Sequence, residues 1–453
     1  MKRGVLLLIG LVVLAALATV VILLTRNRGT APSEVTLEIW SPFDEGKIYE
    51  TISQDFLAQN PGVKLEFKHI EAKDAKEYEA KVVNAIADGE GPNIWLARFD
   101  WIPKHAAKSQ AAIAESREID PVEAAKASLE PAVVGLNVYE GELYGIPLFA
   151  DSLAIIYNST LYDSVHQSAS SGEQTVLSRL ATTWEELRAQ TDIVSQARGN
   201  VITRSAIALG TAANTFASVD VLGALLNQSG ATVLSADKKS VALNLAQFKD
   251  GTPVFPATEA LEFFTGFAKP EAAHYSWSAA LGDPVEAFIQ GKTGALIGYY
   301  STLQAIQAKT PDFTIKVAPL IQKAADHSRV DFAMGWTHLV NRQSVRSALA
   351  WNYLATFLDG RHQDKYAEAT GRIAARKQAA GRPQSQLYDL DLAKELFRLQ
   401  LQSAKVFEKP EWQLVDEVLQ DAITQVVNTG VSAQNSIDSA AERLKTLIKS
   451  SDP

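Results

Sequence analysis

The stretch Tyr139–Asn158, with the sequence YEGELYGIPLFADSLAIIYN, places the strongest constraint on how this chain folds. Two apolar runs within it, Leu143–Ile146 and Leu153–Tyr157, have the composition of buried strands. Pro147 separates them and lacks an amide donor, so the first strand is expected to end or change direction there. The charged residue between the two runs is Asp151. The pattern predicts a strand, a bend and a strand, with Asp151 either solvated in the bend or facing a cleft between two lobes.

The length and charge of the chain narrow the classes of protein to consider. A chain of 453 residues is too long for one ordinary core, so two or three domains are expected. Residues 35–453 contain 39 basic and 51 acidic side chains, a net charge of −12, which argues against nucleic acid or anionic lipid as the main partner. The sequence shows no histidine pair at metal-binding spacing, no phosphate-binding glycine loop and no serine nucleophile elbow, so neither a metal nor a cofactor is expected.

The amino-terminal segment has the composition of a membrane-spanning helix. Val5–Leu24 is an uncharged run of 20 residues, long enough to cross a bilayer and long for the apolar part of a signal peptide. We therefore predict a membrane anchor, or else a cleaved signal, over residues 1–28, and a short linker over residues 29–34. The chain contains no cysteine, so it cannot carry a bacterial lipoprotein anchor, a disulfide or a thiolate metal site.

The body opens with the pattern of a βαβ unit. Val35–Trp40 alternates as a strand does, residues 48–57 are apolar at helical spacing, and Val63–Phe67 follows as a second strand. Ligands bind beyond the carboxyl ends of the strands in such units. Asp44 and Glu45 fall at that end, although negative charge there would also stabilise the start of the following helix.

Several motifs, taken in chain order, resemble those of extracellular solute-binding proteins. The resemblance is to the carbohydrate-binding family that includes the maltose-binding proteins and serves ABC importers. Besides the stretch described first, the motifs are NPGVKLEF, DGEGPNI, TWEEL, DPVEAFIQGKTGALIGYY, the Gly335-Trp336 pair and the helical tail that follows Gly430. Together they extend from residue 35 to about residue 449.

The resemblance implies an α/β periplasmic-binding-protein fold of type II, with hinge crossovers near residues 146–152 and 328–336. A transmembrane helix would precede this body. The implied parts are lobe 1, residues 35–148 and 335–376; lobe 2, residues 149–334; and C-terminal helices over residues 377–453 that pack mainly on lobe 2.

The same resemblance implies which side chains contact a ligand. Carboxylates would accept hydrogen bonds from sugar hydroxyls, and aromatic rings would stack on the apolar faces of sugar rings. The implied contacts are Trp40, Asp44, Glu45, Arg98, Asp100, Asp151, Trp277, Tyr299, Tyr300 and Trp336. Tyr300 takes a position where the family usually has tryptophan, and Trp277 could instead be packed within its own loop.

The implied function is that of the substrate-binding component of an ABC importer. It would capture a neutral sugar or oligosaccharide by hinge closure and deliver it to a membrane permease, without catalysis. A neutral ligand is expected because clustered carboxylates repel an anion. The protein would be a monomer, held at the cell membrane by its N-terminal helix with the body on the extracellular or periplasmic side. Two alternatives stay open: a membrane-anchored glycoside hydrolase, since such enzymes also place paired carboxylates beside aromatic rings, and a tethered scaffold protein without a small ligand.

Overall fold

The structure is a computed structural model, and it describes residues 34–112, 120–325, 328–378, 381 and 388–449. The predicted anchor or signal over residues 1–28 lies outside these ranges. Within them, no helix combines the length and apolar composition needed to cross a membrane.

The strands are numbered in chain order. They are β1 (Val35–Ser41), β2 (Val63–His69), β3 (Ile94–Arg98), β4 (Val138–Tyr139), β5 (Glu142–Leu143), β6 (Gly145–Asn158), β7 (Gln196–Arg198), β8 (Val201–Arg204), β9 (Gln247–Lys249), β10 (Thr252–Val254), β11 (Ala295–Tyr299), β12 (Ile315–Pro319), β13 (Asp331–Val340) and β14 (Ala404–Lys405). The main sheet has the order β11-β6-β13-β3-β1-β2, with β12 also paired to β6 and β14 to β13. The short strands β4–β5, β7–β8 and β9–β10 form separate two-stranded ribbons.

The α-helices cover both faces of this sheet and fill the carboxyl-terminal part. They are Gly46–Ile52, Gln54–Gln59, Ala75–Ala87, Ile102–His105, Pro121–Ser128, Pro131–Asn137, Ser159–Ser168, Ser171–Val176, Trp184–Val194, Ser218–Ser229, Pro256–Gly266, Pro284–Ile289, Tyr300–Gln307, Ser347–Ala355, Gly360–Thr370, Leu390–Gln400, Trp412–Thr429, Ala433–Leu444 and Thr446–Lys449. Short 3-10 turns occur at Phe99–Trp101, Ala106–Lys108, Ala279–Leu281 and Thr356–Leu358.

The predicted βαβ unit is present at the start of the body. β1 pairs in parallel with β2 along its whole length, and two short helices connect them. β3 pairs in parallel with β1 on the other edge. Leu37 and Ile39 of β1 are fully buried, which is why this alternating segment becomes a central strand.

Two long antiparallel strands join the halves of the main sheet. β6 and β13 pair with each other from Ala333 opposite Ser152 to Leu339 opposite Gly145. Beyond this region β6 continues between β11 and β12, whereas β13 pairs on its other side with β3, from Trp336 to Val340. Each strand therefore passes from one half of the sheet to the other. This is the α/β two-lobed periplasmic-binding-protein arrangement, and the exact division into lobes 1 and 2 stays a prediction.

Pro147 does not end the strand as its missing amide donor predicted. β6 continues through it with a bulge, because Pro147 and Leu148 together lie opposite the single residue Thr337 of β13. A proline is tolerated within a sheet at such a bulge, where the ladder is already interrupted. The strand thus continues past Pro147 through a local bulge, where the sequence predicted that it would end or change direction.

Gly145 lies against the bulge and permits the close approach of the two strands. A Cβ atom on residue 145 would lie 2.3 Å from Oγ1 and 2.9 Å from Cγ2 of Thr337, a buried residue. A clash with a fully packed β-branched side chain cannot be relieved without moving a strand.

We therefore expect Gly145→Ala to lower the free energy of unfolding by about 1–3 kcal/mol, as overpacking of a core does. Urea denaturation followed by tryptophan fluorescence measures this change. Gly135→Ala is the matched control, because Gly135 is an exposed helical residue with open space around its Cα, and alanine there should be neutral or stabilising. Equal stabilities of the two variants would contradict the packing argument.

The carboxyl-terminal segment contacts both halves of the molecule. Helix Leu390–Gln400 packs on β6 and β12, and the two helices after it pack on Ser218–Ser229 and Pro256–Gly266. The first residues of helix Trp412–Thr429, however, reach helix Ala75–Ala87: the Trp412 indole and the Gln413 amide both donate to the buried carboxylate of Glu79. This segment therefore joins elements from both halves of the molecule, which the sequence did not predict.

Candidate functional site

A cavity of about 310 Å³ lies where the two crossover strands meet. Its floor is formed by adjacent segments of β6 and β13, residues 149–151 and 334–336. The aromatic side chains that line it are Phe43, Phe149, Tyr299, Tyr300 and Trp336. The charged side chains that line it are Arg98, Asp151, Asp220 and Arg372.

Trp336 is held in the floor by other rings. Its ring lies edge-on to Trp101 at 5.4 Å, to Tyr78 at 5.8 Å and to Phe43 at 5.4 Å, measured between ring centroids. The preceding Gly335 packs so tightly that a Cβ atom there would lie 2.7 Å from the Phe99 ring. The indole is therefore fixed in place before any ligand arrives, while remaining partly exposed to the cavity.

Arg372 fills the corner between two aromatic rings on one side of the cavity. Its guanidinium carbon lies 4.2 Å from the centroids of both Phe43 and Phe149. Nη2 of Arg372 lies 2.9 Å from a carboxylate oxygen of Glu45, and Nη1 donates to the Tyr366 hydroxyl at 2.8 Å. Glu45 thus acts on this side of the cavity through Arg372, whose orientation it fixes.

A buried group of charges, here called the Lys409 cluster, forms the opposite side. It consists of Arg98, Asp100, Asp220, Lys409 and Asp416. Arg98 donates two hydrogen bonds to the fully buried carboxylate of Asp100, at 3.0 and 2.8 Å. Although burial alone would raise the pKa of Asp100, the charges of Arg98 and Lys409 hold that pKa below its usual value. Asp100 is therefore an internal counter-ion and does not line the cavity.

Lys409 connects separate parts of the chain within this cluster. Its buried ammonium lies 3.3 Å from Asp100, 3.5 Å from Asp220 and 2.7 Å from Asp416. Asp220 in turn accepts a hydrogen bond of 2.8 Å from the Tyr299 hydroxyl. The cluster thereby fixes two residues that line the cavity, Tyr299 and Arg98, from behind.

Asp151 lies in the floor and caps a helix. Its carboxylate accepts hydrogen bonds from the backbone amides of Tyr300 and Ser301, the first residues of helix Tyr300–Gln307, at 2.9 and 3.1 Å. It also accepts one from the amide of Ser152 at 2.8 Å. Burial raises the pKa of Asp151 to about 6, against the opposing effect of these amides.

The raised pKa gives a prediction for stability against pH. An unfolded aspartate has a pKa of about 3.9, so between that value and about pH 6 folded Asp151 retains a proton that the unfolded chain has lost. The free energy of unfolding should therefore fall as the pH rises through this window. Asp151→Asn, which cannot titrate, should lack this contribution. Urea denaturation of both proteins at pH 4, 5, 6 and 7 tests this prediction. The free energy of unfolding of the wild type, minus that of the variant, should decrease towards pH 7. An increase of this difference would contradict the assignment.

A sequence profile of a known family agrees with this architecture. The profile described as "Bacterial extracellular solute-binding protein" matches residues 51–390, which is most of the chain. The chain belongs to this family.

Solved structures of other binding proteins share the fold of this solute-binding protein. The cyclic α-maltosyl-1,6-maltose binding protein from Arthrobacter globiformis superposes with a TM-score of 0.71 at 17% sequence identity, covering 92% of this chain and 99% of that one. The sugar-binding protein MalE from Xanthomonas citri superposes with a TM-score of 0.69 at 16% identity, covering 92% and 98%. At such identities the likeness establishes the two-lobed fold.

One curated relative matches over a shorter stretch. The maltotriose-binding protein of Pyrococcus abyssi is 27% identical over 118 residues, which are 26% of this chain and 24% of that protein. The match thus spans about a quarter of the relative's length.

The structure brings together half of the side chains that the sequence nominated for this solute-binding protein. Those that line the cavity are Arg98, Asp151, Tyr299, Tyr300 and Trp336. Those that do not line it are Trp40, Asp44, Glu45, Asp100 and Trp277.

The residues outside the cavity have other contacts. The Trp40 indole is buried, donates to Glu38 and lies under the ammonium of Lys68, because β1 turns this side chain to the other face of the sheet. Trp277 is fully buried, and its indole donates to the backbone carbonyl of Asn214 at 2.8 Å. Asp44 is exposed in a shallow recess beside Lys68.

Sequence reasoning missed several cavity-lining residues. They are Phe43, Phe149, Asp220, Gln304 and Arg372. Phe43 could have been found, because it lies in the same loop as Asp44 beyond the carboxyl end of β1. Asp220 and Arg372 do not follow the carboxyl end of a strand. Asp220 lies in the first turn of helix Ser218–Ser229, and Arg372 lies just after helix Gly360–Thr370. Each is far along the chain from the cavity-lining side chains that it contacts.

Proposed function

We propose that this protein is the substrate-binding component of an ABC importer and that it captures a neutral sugar between its lobes. The observation that carries the proposal is the cavity at the crossover strands, which combines five aromatic rings with balanced charges. A sugar has apolar ring faces and many hydroxyl groups, so it requires both kinds of contact.

The charges of the cavity favour an uncharged ligand. Two guanidinium groups, of Arg98 and Arg372, and two carboxylates, of Asp151 and Asp220, line it, so no sign is in excess. Each carboxylate already accepts hydrogen bonds from protein donors, whereas Arg372 uses only part of its five N–H donors on Glu45 and Tyr366. Sugar hydroxyl and ring oxygens can accept hydrogen bonds from the remaining N–H groups of Arg372.

Similar proteins support a sugar as the ligand. The relative from Pyrococcus abyssi is a maltotriose-binding protein, and the two structures described above bind a cyclic maltosyl-maltose and a sugar. We propose the same class of ligand, a sugar, for the present chain because aromatic rings line its cavity.

The hydrolase alternative is disfavoured by the state of the carboxylates. A glycoside hydrolase needs one carboxyl group free to protonate the leaving oxygen and another free to attack or to activate water. Asp151 is held by three amides, and Asp220 is held by Tyr299 and Lys409. Neither group is poised for acid–base or nucleophilic work.

Capture would involve closure of the lobes about β6, β13 and the segment before Trp412. A ligand that contacts both lobes favours the closed state by its extra contacts there, and a difference of a few kcal/mol is enough to shift the population. The closed form would then dock on permease subunits in the membrane, and the protein would act as a monomer.

The predicted anchor over residues 1–28 would place the body beside the permease. A single uncharged run of 20 residues supports this proposal, and the family description supports an extracellular or periplasmic location. Tethering would raise the effective concentration of the loaded protein near its partner.

A thermal-shift screen against neutral sugars, with chromatography of the sugars afterwards, tests the function. We expect at least one sugar to raise the melting temperature and to be recovered intact. Shortened sugars would instead identify a hydrolase. The absence of a shift with every neutral mono- and oligosaccharide tested would contradict the proposed function.

A further inference from the structure

We propose that the cleft is closed at both ends and accepts saccharides of one or two rings, with Gln304 as the side chain that sets the limit. This inference rests on the proposed function and adds the size of the ligand to it. It is carried by two contacts that cross between the lobes and by the order of the strands beneath them.

The first contact joins Arg98 of lobe 1 to Asp220 of lobe 2. Nη2 of Arg98 lies 3.9 Å from Oδ1 of Asp220. The second contact joins helix Tyr300–Gln307 of lobe 2 to the turn after helix Gly360–Thr370: Nε2 of Gln304 donates to the carbonyl oxygen of Gly371 at 3.5 Å. Arg98, Asp220 and Gln304 all line the cavity, so both contacts are part of its wall.

The two contacts lie on opposite sides of the floor. Arg98 on β3 is opposite Trp336 on β13, and Trp336 is opposite Phe149 on β6. Phe149 is bridged on its other side to Ala374, and the neighbouring Ala150 amide donates to the Ile373 carbonyl at 3.1 Å. The floor is therefore two strands wide, with Arg98 beyond one edge and the segment that follows Gly371 beyond the other.

This order sets the length that a ligand can occupy. Neighbouring strands lie about 4.8 Å apart, so three steps from β3 to the segment at Ile373 span about 14 Å between backbones. Side chains at both ends shorten the free length further. The volume of about 310 Å³ agrees, because it lies at the lower end of the range of roughly 300–1,000 Å³ typical of ligand pockets.

The two ends differ in how firmly they are closed. Asp220 and Arg98 are both held by the Lys409 cluster, so that end cannot open without breaking buried ion pairs. Gln304 makes one long hydrogen bond to Gly371, whose φ of +73° turns its carbonyl at the helix end. A third sugar ring would have to displace Gln304, and this residue is therefore the specificity determinant.

Calorimetric titration of the full chain tests the limit. The probes are α-1,4-glucose, β-1,4-glucose, β-1,4-xylose and β-1,4-mannose saccharides, each with one to four rings. In the series that binds, we expect the wild type to bind the trisaccharide at least about tenfold more weakly than the disaccharide. Gln304→Ala should reduce that ratio by about tenfold, because the end of the cleft then opens. Gln307→Ala is the matched control, since Gln307 lies on the same helix and does not line the cavity, and it should keep the wild-type ratio.

The outcomes distinguish failure of this inference from failure of the proposed sugar-binding function. Affinity that rises from the disaccharide to the tetrasaccharide in the wild type would overturn the size limit and leave sugar binding intact. A limit that is unchanged in Gln304→Ala would overturn the assignment of Gln304. Absence of binding in all four series would overturn the proposed function and this inference with it.

Discussion

Replacing Lys409 by methionine is expected to lower the free energy of unfolding by about 3–5 kcal/mol, the cost of removing one partner from a buried ion-pair network. Methionine matches the length of the lysine stem but leaves Asp100, Asp220 and Asp416 without their shared cation. Arg98 alone cannot neutralise them, because it carries one positive charge and makes its two hydrogen bonds within the cluster to Asp100. Burial alone would lower the pKa of Lys409, and the surrounding aspartates raise it above its usual value, so the lysine is charged in the folded protein.

Urea denaturation of the two proteins at neutral pH measures this loss. The matched control is Lys405→Met, since Lys405 lies four positions earlier in the same segment and its side chain is exposed. We expect the control to change stability by no more than about 0.5 kcal/mol, as exposed positions do. A Lys409 variant as stable as the control would show that the cluster does not hold the lobes and the carboxyl-terminal segment together.

Trp336→Ala is expected to weaken binding of the sugar by about 2 kcal/mol, or roughly thirtyfold. The indole is part of the floor and is immobilised by Trp101, Tyr78 and Phe43. Because the side chain is already ordered, little conformational entropy is lost when a ligand binds to it. Trp336→Phe should lose less affinity for the sugar, because phenylalanine keeps an aromatic face. Calorimetric titration with the sugar found in the thermal-shift screen measures both.

Trp40 supplies the control for this experiment. Both tryptophans were nominated by the same sequence argument, and the structure separates them: Trp40 is buried beside Glu38 and does not line the cavity. Trp40→Phe should therefore keep wild-type affinity even if the protein is less stable. Loss of affinity in Trp40→Phe that equals the loss in Trp336→Ala would place the ligand elsewhere.

The order of strands and helices was largely predictable because it depends on local patterns. The alternation of apolar and polar residues in β1 and β2, and the helical spacing between them, each indicate which face of a short segment packs inward. The two crossover strands were also found, since β6 and β13 are long apolar segments in which nearly every residue is buried. The predicted break at Pro147 did not occur because β6 accommodates the proline in a bulge, where Pro147 and Leu148 together lie opposite Thr337, a residue 190 positions away along the chain.

The cavity was only half predictable, for a geometric reason. A motif places a residue at the end of a strand, but the direction of its side chain depends on the twist of the strand and on the neighbours it meets. Trp95 and Trp336 are both on strands, yet only Trp336 lines the cavity. Asp100 and Asp151 both follow apolar runs as single acidic residues. One became the partner of Arg98 and the other the cap of helix Tyr300–Gln307.

The sequence by itself determined the family, the two-lobed α/β fold and the segments that cross between the lobes, because these follow from periodicity, composition and the order of motifs. The tertiary structure alone decided which charges are paired and which rings are free to meet a ligand. Lys409 and Asp220 are 189 residues apart, and Tyr366 lies 321 residues from Glu45, which accepts its hydroxyl hydrogen bond. Contacts at such separations exist only once the chain has folded, and no local pattern along the chain records them.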